Sequence, residues 1–263
     1  MTVAIILGAV VGLIMGLTGA GGGILAVPLL IFVLHLTIAQ AGPIALVAVG
    51  VGAALAAVIG LRKGIVRYRA AILVAVTGIV TAPIGVWLGH RLNIHLLSAI
   101  FAIVLLWVAY KSFRESRQSD MPTIPKAELP CHRDSTSGKF IWSFQCAARF
   151  SLAGLIAGVL SGLLGVGGGF VIVPVLQRYT DLTMQSVIAT SLCVVALISM
   201  AGVFTSLSTG QLNISVATTF TAGAVAGLVV GGILSSRLST KYLKLAFAII
   251  CFSAAAGMLL KLT

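Results

Sequence analysis

The chain has 263 residues, of which 59% are hydrophobic and 8% are charged. Soluble globular proteins carry about 25% charged residues, so this composition excludes a soluble domain and indicates a polytopic membrane protein. The formal net charge of +12 does not indicate nucleic-acid binding, because almost every Lys and Arg lies in a short loop between apolar spans. Cytoplasmic loops of membrane proteins have this character.

The first apolar segment, residues 3–36, is too long for one straight crossing and contains its own interruption. A helix of that length would measure roughly 50 Å, against a hydrocarbon core of about 30 Å. The triple glycine Gly21–Gly23 permits backbone conformations that other residues rarely adopt, and a proline disfavours helix in the residue before it. We therefore predict a helix, an unwound glycine stretch with Val27 extended, and a second helix with Pro28 in its first turn.

Three uninterrupted apolar spans follow, near residues 41–61, 70–90 and 94–112. Each is close to the ~20 residues that a helix needs to cross a bilayer. Residues 113–148 form the one polar region of the chain, with three of the seven prolines and four of the five acidic residues. We predict that residues 113–148 are a cytoplasmic linker that is partly disordered.

The second half of the chain repeats the first at a constant shift of 146 residues. Gly8–Leu30 aligns without a gap on Gly154–Leu176, and the same shift pairs Gly64 with Gly210 in a loop. A chance similarity between apolar helices would not keep one shift through loops. The remaining spans lie near residues 184–207, 214–235 and 242–262. The sequence predicts an all-α polytopic membrane protein with two homologous repeats, each with a glycine-broken first segment plus three transmembrane helices.

The number of crossings made by the broken segment decides how the repeats, residues 1–112 and 149–263, are oriented. If the segment crosses once, the halves are parallel 4+4 bundles, and 12 of the 17 Lys and Arg residues lie on one side. If it is a hairpin, the repeats are inverted, and 15 lie on one side with Arg91 and Lys261 on the other. Because basic residues concentrate in cytoplasmic loops, inverted repeats are favoured and parallel halves are the alternative.

The two glycine breaks are the candidate binding site. Unwound backbone at membrane depth is tolerated only inside protein or beside water, and the broken helices of transporters point N-terminal amides at anions. The candidate substrate-binding residues are Gly19, Gly21, Gly22, Gly23 and Pro28 in the first break, Gly165, Gly167, Gly168, Gly169 and Pro174 in the second, and the hydroxyl residues Thr190 and Ser191. The alternative is that the breaks are bends required by packing and that both hydroxyls bond their own helix.

Ionisable groups give no competing site. No Asp or Glu lies within a predicted span, which argues against a proton relay and against a cation site. No nucleophile–base pair or metal-ligand cluster is evident, so we expect no enzyme activity, no metal and no other cofactor. The expected partners are a small anionic substrate and the lipid bilayer, without nucleic acid, and the sequence gives no indication of the oligomeric state.

The duplicated pattern GLxGxGGGxxxVPxL, at Gly16–Leu30 and Gly162–Leu176, resembles the sulfite exporter TauE/SafE family of membrane permeases. The IATSL stretch at Ile188–Leu192 is similar to that family as well. The resemblance covers nearly the whole chain outside the linker, and it implies transport of sulfur-containing anions such as sulfite or sulfonates across the inner membrane. The first half departs from the pattern, because residues 42–45 lack the expected alanine-threonine-serine stretch.

These observations favour an exporter of small sulfur-containing oxyanions over three other functions. An anion channel shares the uncharged amide site but needs no closing gate. An uptake permease for another small organic anion is the second alternative. A membrane scaffold without transport is disfavoured, because a scaffold has no use for paired stretches of unwound backbone.

Overall fold

The computed structural model of the protein describes residues 2–19, 22–117, 144–180, 182–208, 214–234 and 240–260. These residues form ten helices. In chain order the helices are α1 (Thr2–Thr18), α2 (Gly22–Val33), α3 (Ile38–Arg62), α4 (Tyr68–Arg91), α5 (Ile94–Arg117), α6 (Phe144–Leu164), α7 (Gly169–Tyr179), α8 (Met184–Ser208), α9 (Ile214–Leu234) and α10 (Thr240–Leu260). The middle of the predicted linker lies outside the described residues, and α5 and α6 extend into its two ends.

Six helices in the described part of the chain are long and apolar enough to cross a membrane, namely α3, α4, α5, α6, α8 and α9. The helices α1, α2 and the Leu245–Leu259 part of α10 are shorter apolar segments. The described residues form no β-strand. The prediction of an all-α polytopic membrane protein is confirmed. Five of the six predicted spans fall on helices long enough to cross, and the sixth, near 242–262, falls on α10, whose apolar part is shorter.

Each predicted break separates two helices, α1 from α2 and α6 from α7. The second helix of each pair begins beside the middle of the first. A Cβ placed on Gly22 would lie 2.5 Å from the Val11 carbonyl oxygen, and one placed on Gly168 would lie 2.5 Å from that of Ala157. The chain therefore turns back on itself at both breaks, and glycine allows the close approach.

The prediction that Pro28 lies in the first turn of the second helix is wrong. Helix α2 begins at Gly22 and contains Pro28 in its interior. Gly22 and Gly23, which were predicted to be unwound, and Val27, which was predicted to be extended, are therefore helical, and Pro174 likewise lies inside α7. An interior proline lacks the N–H that would bond the carbonyl four residues earlier, here that of Ile24. Surrounding protein allows membrane helices to tolerate this loss. Since Ile24, Val27 and Pro28 are all buried, the packing of α2 outweighs the local preference of the proline.

Small residues bring α1 against α9. Gly8 contacts the backbone of Phe220, and a Cβ on Gly16 would lie 2.5 Å from the carbonyl oxygen of Leu228. Residue numbers rise together along this contact, so α1 and α9 run in the same direction. Small residues spaced four apart permit such close packing in membranes.

Helix α6 packs on α4 in the same way. A Cβ on Gly154 would lie 2.5 Å from the Val74 carbonyl oxygen, and Gly162 contacts the backbone of Ala82. These two helices also run in the same direction, so α6 begins at the end of the bundle where α4 begins.

The helices α3 and α8 cross at the centre of the bundle in opposite directions. A Cβ on Gly60 would lie 3.0 Å from the Cβ of Ala189, and a Cβ on Gly202 would lie 3.1 Å from the Leu46 side chain. The start of one helix therefore lies beside the end of the other.

A glycine closes α3 and directs the chain into the next loop. Gly64 has a φ of 67°, and its N–H donates to the Leu61 carbonyl at 3.0 Å while the N–H of Ile65 donates to Gly60 at 3.2 Å. This pair of bonds is a Schellman motif, which satisfies the last carbonyls of a helix. The motif turns residues 65–67 toward α8.

Candidate functional site

Left-handed backbone marks both glycine breaks. The angle φ is 89° at Gly19 in the first break and 71°, 79° and 68° at Gly165, Gly167 and Gly168 in the second. Glycine adopts such angles without the steric cost that other L-residues incur. Gly21 lies outside the described residues.

Each break packs against the opposite half of the chain. Gly165 contacts the backbone of Gly42 near the start of α3, and a Cβ on Gly19 would lie 2.7 Å from Cγ1 of Ile188 near the start of α8. Gly42 and Ile188 are equivalent positions at the shift of 146 residues. Residues of the other half of the chain therefore contribute to the packing of each break.

The two breaks meet beside the middle of α3. A Cβ on Gly23 would lie 2.6 Å from the carbonyl oxygen of Val166 in the second break. The side chain of Val49 would lie 3.4 Å from that Cβ and 3.3 Å from one placed on Gly167. Val49 is buried, so this meeting point is enclosed by protein.

Helix α7 begins at the point where the two breaks meet. Gly168 is its N-cap residue, and the N–H of Val171 donates back to the Gly168 carbonyl at 3.1 Å. The amides of Gly169 and Phe170, in the first turn, have no acceptor within the helix. Both residues are buried, and the positive end of a helix with free amides attracts anions.

Thr190 connects α8 to the loop after α3. Its Oγ1 accepts a hydrogen bond of 3.0 Å from the backbone N–H of Arg67. One turn earlier, Ser186 Oγ donates to the Ile65 carbonyl. The two bonds hold the start of α8 against the α3–α4 loop, so the Thr190 hydroxyl is joined to this loop rather than to a break glycine.

Ser191 bonds its own helix. It is fully buried, and its Oγ donates to the Ile188 carbonyl at 2.9 Å. This is the common behaviour of hydroxyls in membrane helices. The candidate site in this structure is therefore formed by the break glycines.

Ser199 is a polar residue at the site that sequence analysis did not single out. It is fully buried, and its Oγ would lie 3.1 Å from a Cβ on Gly167, while its Cβ would lie 3.0 Å from one on Gly50. Among the described residues, its Oγ has no hydrogen-bond partner. The sequence does not distinguish Ser199 from other hydroxyl residues in apolar spans. Its position beside the break results from the way in which α3 and α8 cross.

Residues 4–258 match the family described as Sulfite exporter TauE/SafE. The chain belongs to this family. The match includes both glycine breaks and at least part of every described helix, so the resemblance inferred from the repeated glycine pattern is confirmed. No solved structure matches this TauE/SafE protein significantly.

Several relatives carry names that describe transport. The "Probable membrane transporter protein" of Xylella fastidiosa (strain Temecula1 / ATCC 700964) is 30% identical over 240 residues, which are 88% of this chain and 84% of the relative. The "Probable membrane transporter protein YunE" of Bacillus subtilis (strain 168) is 24% identical over 91% of this chain and 90% of its own. The "Probable membrane transporter protein MamO" of Paramagnetospirillum magneticum (strain ATCC 700264 / AMB-1) is 38% identical over 96 residues, 15% of its length.

Proposed function

We propose that this TauE/SafE protein is a membrane transporter, without enzyme activity, that exports small sulfur-containing oxyanions such as sulfite or organosulfonates. Family membership and the names of the relatives support transport. The observation that carries the choice of an anion is the meeting of two glycine breaks at the first turn of α7. Free amides there attract negative charge, and the predicted spans contain no carboxylate that would repel it.

The substrate in this proposal lies between the breaks. A Cβ on Gly23 or on Gly167 would lie within 3.4 Å of the Val49 side chain, and this approach of both breaks to one residue supports one ligand position rather than two. The amides at the start of α7 supply hydrogen bonds without charged side chains. Thr190 and Ser191 contribute by shaping the start of α8, because their described bonds join the α3–α4 loop and α8 itself.

We further propose that the repeats, residues 1–112 and 149–263, are inverted. The bond between Thr190 and Arg67 supports this arrangement, since it sets the start of α8 beside the start of α4. Helix α6 begins at the same end, because it runs alongside α4 in the same direction. The pair α6 and α7 then enters and leaves the membrane on one side, as a hairpin does.

The contacts of the first half support a second hairpin of opposite orientation. Helix α8 starts at the α3–α4 loop, so α9 starts at the other end of the bundle. Helix α1 runs alongside α9 in the same direction, and α3 also starts at that other end. The start of α1 and the end of α2 therefore lie at one end of the bundle, and the start of α6 and the end of α7 lie at the other. Transporters with inverted repeats have this geometry.

The basic residues orient the protein in the inner membrane. The loop between α3 and α4 carries Lys63 and Arg67, whereas the opposite end of α4 carries Arg91. Positive residues favour the cytoplasmic side, so we propose that the α3–α4 loop and the linker are cytoplasmic. The guanidinium of Arg91 lies 5.0 Å from the centre of the Trp87 ring, an arrangement suited to the opposite membrane surface.

Transport by purified protein in proteoliposomes tests this function. The panel contains sulfite, sulfate, thiosulfate, ethanesulfonate and acetate, with protein-free liposomes as the control. We expect saturable flux of sulfite or ethanesulfonate and little flux of acetate. Flux that never saturates would favour the channel, and selective uptake of carboxylates would favour a permease for other organic anions.

A further inference from the structure

Ser199 differs from the other described hydroxyl side chains of α8, because it has no hydrogen-bond partner among the described residues. Ser191 donates to the Ile188 carbonyl at 2.9 Å, and Ser206 donates to Gly202 at 2.8 Å, both within the same helix. Ser199 is as deeply buried, yet its Oγ bonds no described residue. A buried hydroxyl left unpaired destabilises the folded protein, so its presence calls for an explanation.

The unpaired hydroxyl faces the second break. A Cβ on Gly167 would lie 3.1 Å from Ser199 Oγ, and Gly167 has a φ of 79°. The next residue, Gly168, is the N-cap of α7, whose first-turn amides lack helical acceptors. The Ser199 hydroxyl therefore lies beside the glycine stretch that leads into the first turn of α7.

A second unpaired hydroxyl precedes the same break. Ser161 lies one turn before Gly165, whose N–H donates to the Ser161 carbonyl at 2.9 Å. Its Oγ is buried and, among the described residues, has no partner. The equivalent positions of the first half hold Met15 and Ala53, which offer no hydroxyl. The two donors therefore belong to the second break alone.

We propose that Ser199 is a substrate-binding residue, whose hydroxyl donates a hydrogen bond to an oxygen of an oxyanion held at the second break, with Ser161 as a second donor. The inference rests on the proposed function. It explains why α8 keeps an unpaired hydroxyl at its crossing with α3, because the bound anion supplies the missing acceptor. It also makes the site asymmetric, with the oxyanion on the side of the second half.

Two measurements on the same variants test the proposal: KM for sulfite in proteoliposomes and the midpoint of thermal unfolding without substrate. Ser199→Ala is expected to raise KM about 10- to 100-fold, the loss of one hydrogen bond to a charged group. Its substrate-free stability should be equal to or above that of the wild type, since the unpaired hydroxyl is gone. Ser161→Ala should act in the same direction, and Ser206→Ala, which loses a bond within its helix, should leave KM unchanged.

The outcomes separate this inference from the proposed function. A wild-type protein that carries no member of the anion panel overturns both. A wild type that carries sulfite, with an unchanged KM in Ser199→Ala, overturns the inference alone. A raised KM that comes with a lowered unfolding midpoint also overturns it, because Ser199 would then be a packing residue.

Discussion

Gly165 in the second break packs against the backbone of Gly42 in α3, where a Cβ on Gly165 would lie 2.8 Å from the Gly42 carbonyl oxygen. The reverse substitution meets more room, because a Cβ on Gly42 would lie 3.7 Å from the Cα of Gly165, an ordinary contact. A methyl group therefore fits on Gly42 but not on Gly165. This difference provides a matched pair of variants.

Gly165→Ala should destabilise the protein strongly. The left-handed backbone, with φ of 71°, costs a non-glycine residue about 1–2 kcal/mol, and overpacking against Gly42 adds about 1–3 kcal/mol. Gly42→Ala should change stability by less than about 1 kcal/mol, because a gain in helix propensity is opposed by the following Pro43. Thermal unfolding in detergent measures both. Equal effects of the two variants would show that this contact does not have the described geometry.

Thr190→Val should weaken the attachment of α8 to the α3–α4 loop. The Arg67 N–H, which donates to Thr190 Oγ1 at 3.0 Å, would lose its acceptor at a cost of about 1–3 kcal/mol. Thr218→Val is the control, since the Thr218 hydroxyl is exposed and bonds Ser215 within its own helix. We expect a lower unfolding midpoint for Thr190→Val only. A normal midpoint with a large rise in KM would instead assign Thr190 to the substrate.

Labelling with a membrane-impermeant maleimide tests the inverted topology. Single cysteines replace Asn93, between α4 and α5, and Ser239, between α9 and α10, in a chain whose four cysteines are removed. These loops are equivalent in the two repeats, so inversion places them on opposite sides of the membrane. We expect Asn93→Cys to be labelled in intact cells and Ser239→Cys only after lysis. Labelling of both in intact cells would establish parallel halves.

Much of the fold could be predicted from the sequence, because apolar runs of about 20 residues mark membrane helices and the constant shift of 146 residues marks the duplication. The position of each break was also predictable from the glycines. The role of Pro28 was not, since the burial of α2 outweighed the local preference of proline.

The side chains of the site were harder to predict. Ser191 and Ser199 have similar apolar neighbours in the sequence, yet one bonds its helix and the other faces Gly167. That difference arises from how α3 crosses α8, which periodicity does not encode. The contact between Gly165 and Gly42 depends on the same long-range packing.

The absence of acidic residues from the predicted spans predicts the driving force. A protein without membrane carboxylates has little means of coupling to protons or sodium through its own side chains. An anion leaving a negative-inside cell needs no such coupling, because the potential favours exit by about 2.3 kcal/mol per charge per 100 mV. Export should therefore be electrogenic.

Electrogenic export is tested by sulfite efflux from loaded proteoliposomes under a potential set by valinomycin, with no pH or sodium gradient. We expect saturable efflux that becomes faster as the interior is made more negative, and no such efflux from protein-free liposomes. Efflux that ignores the potential but follows an imposed proton or sodium gradient would contradict electrogenic export, and the absence of any protein-dependent efflux would contradict sulfite transport.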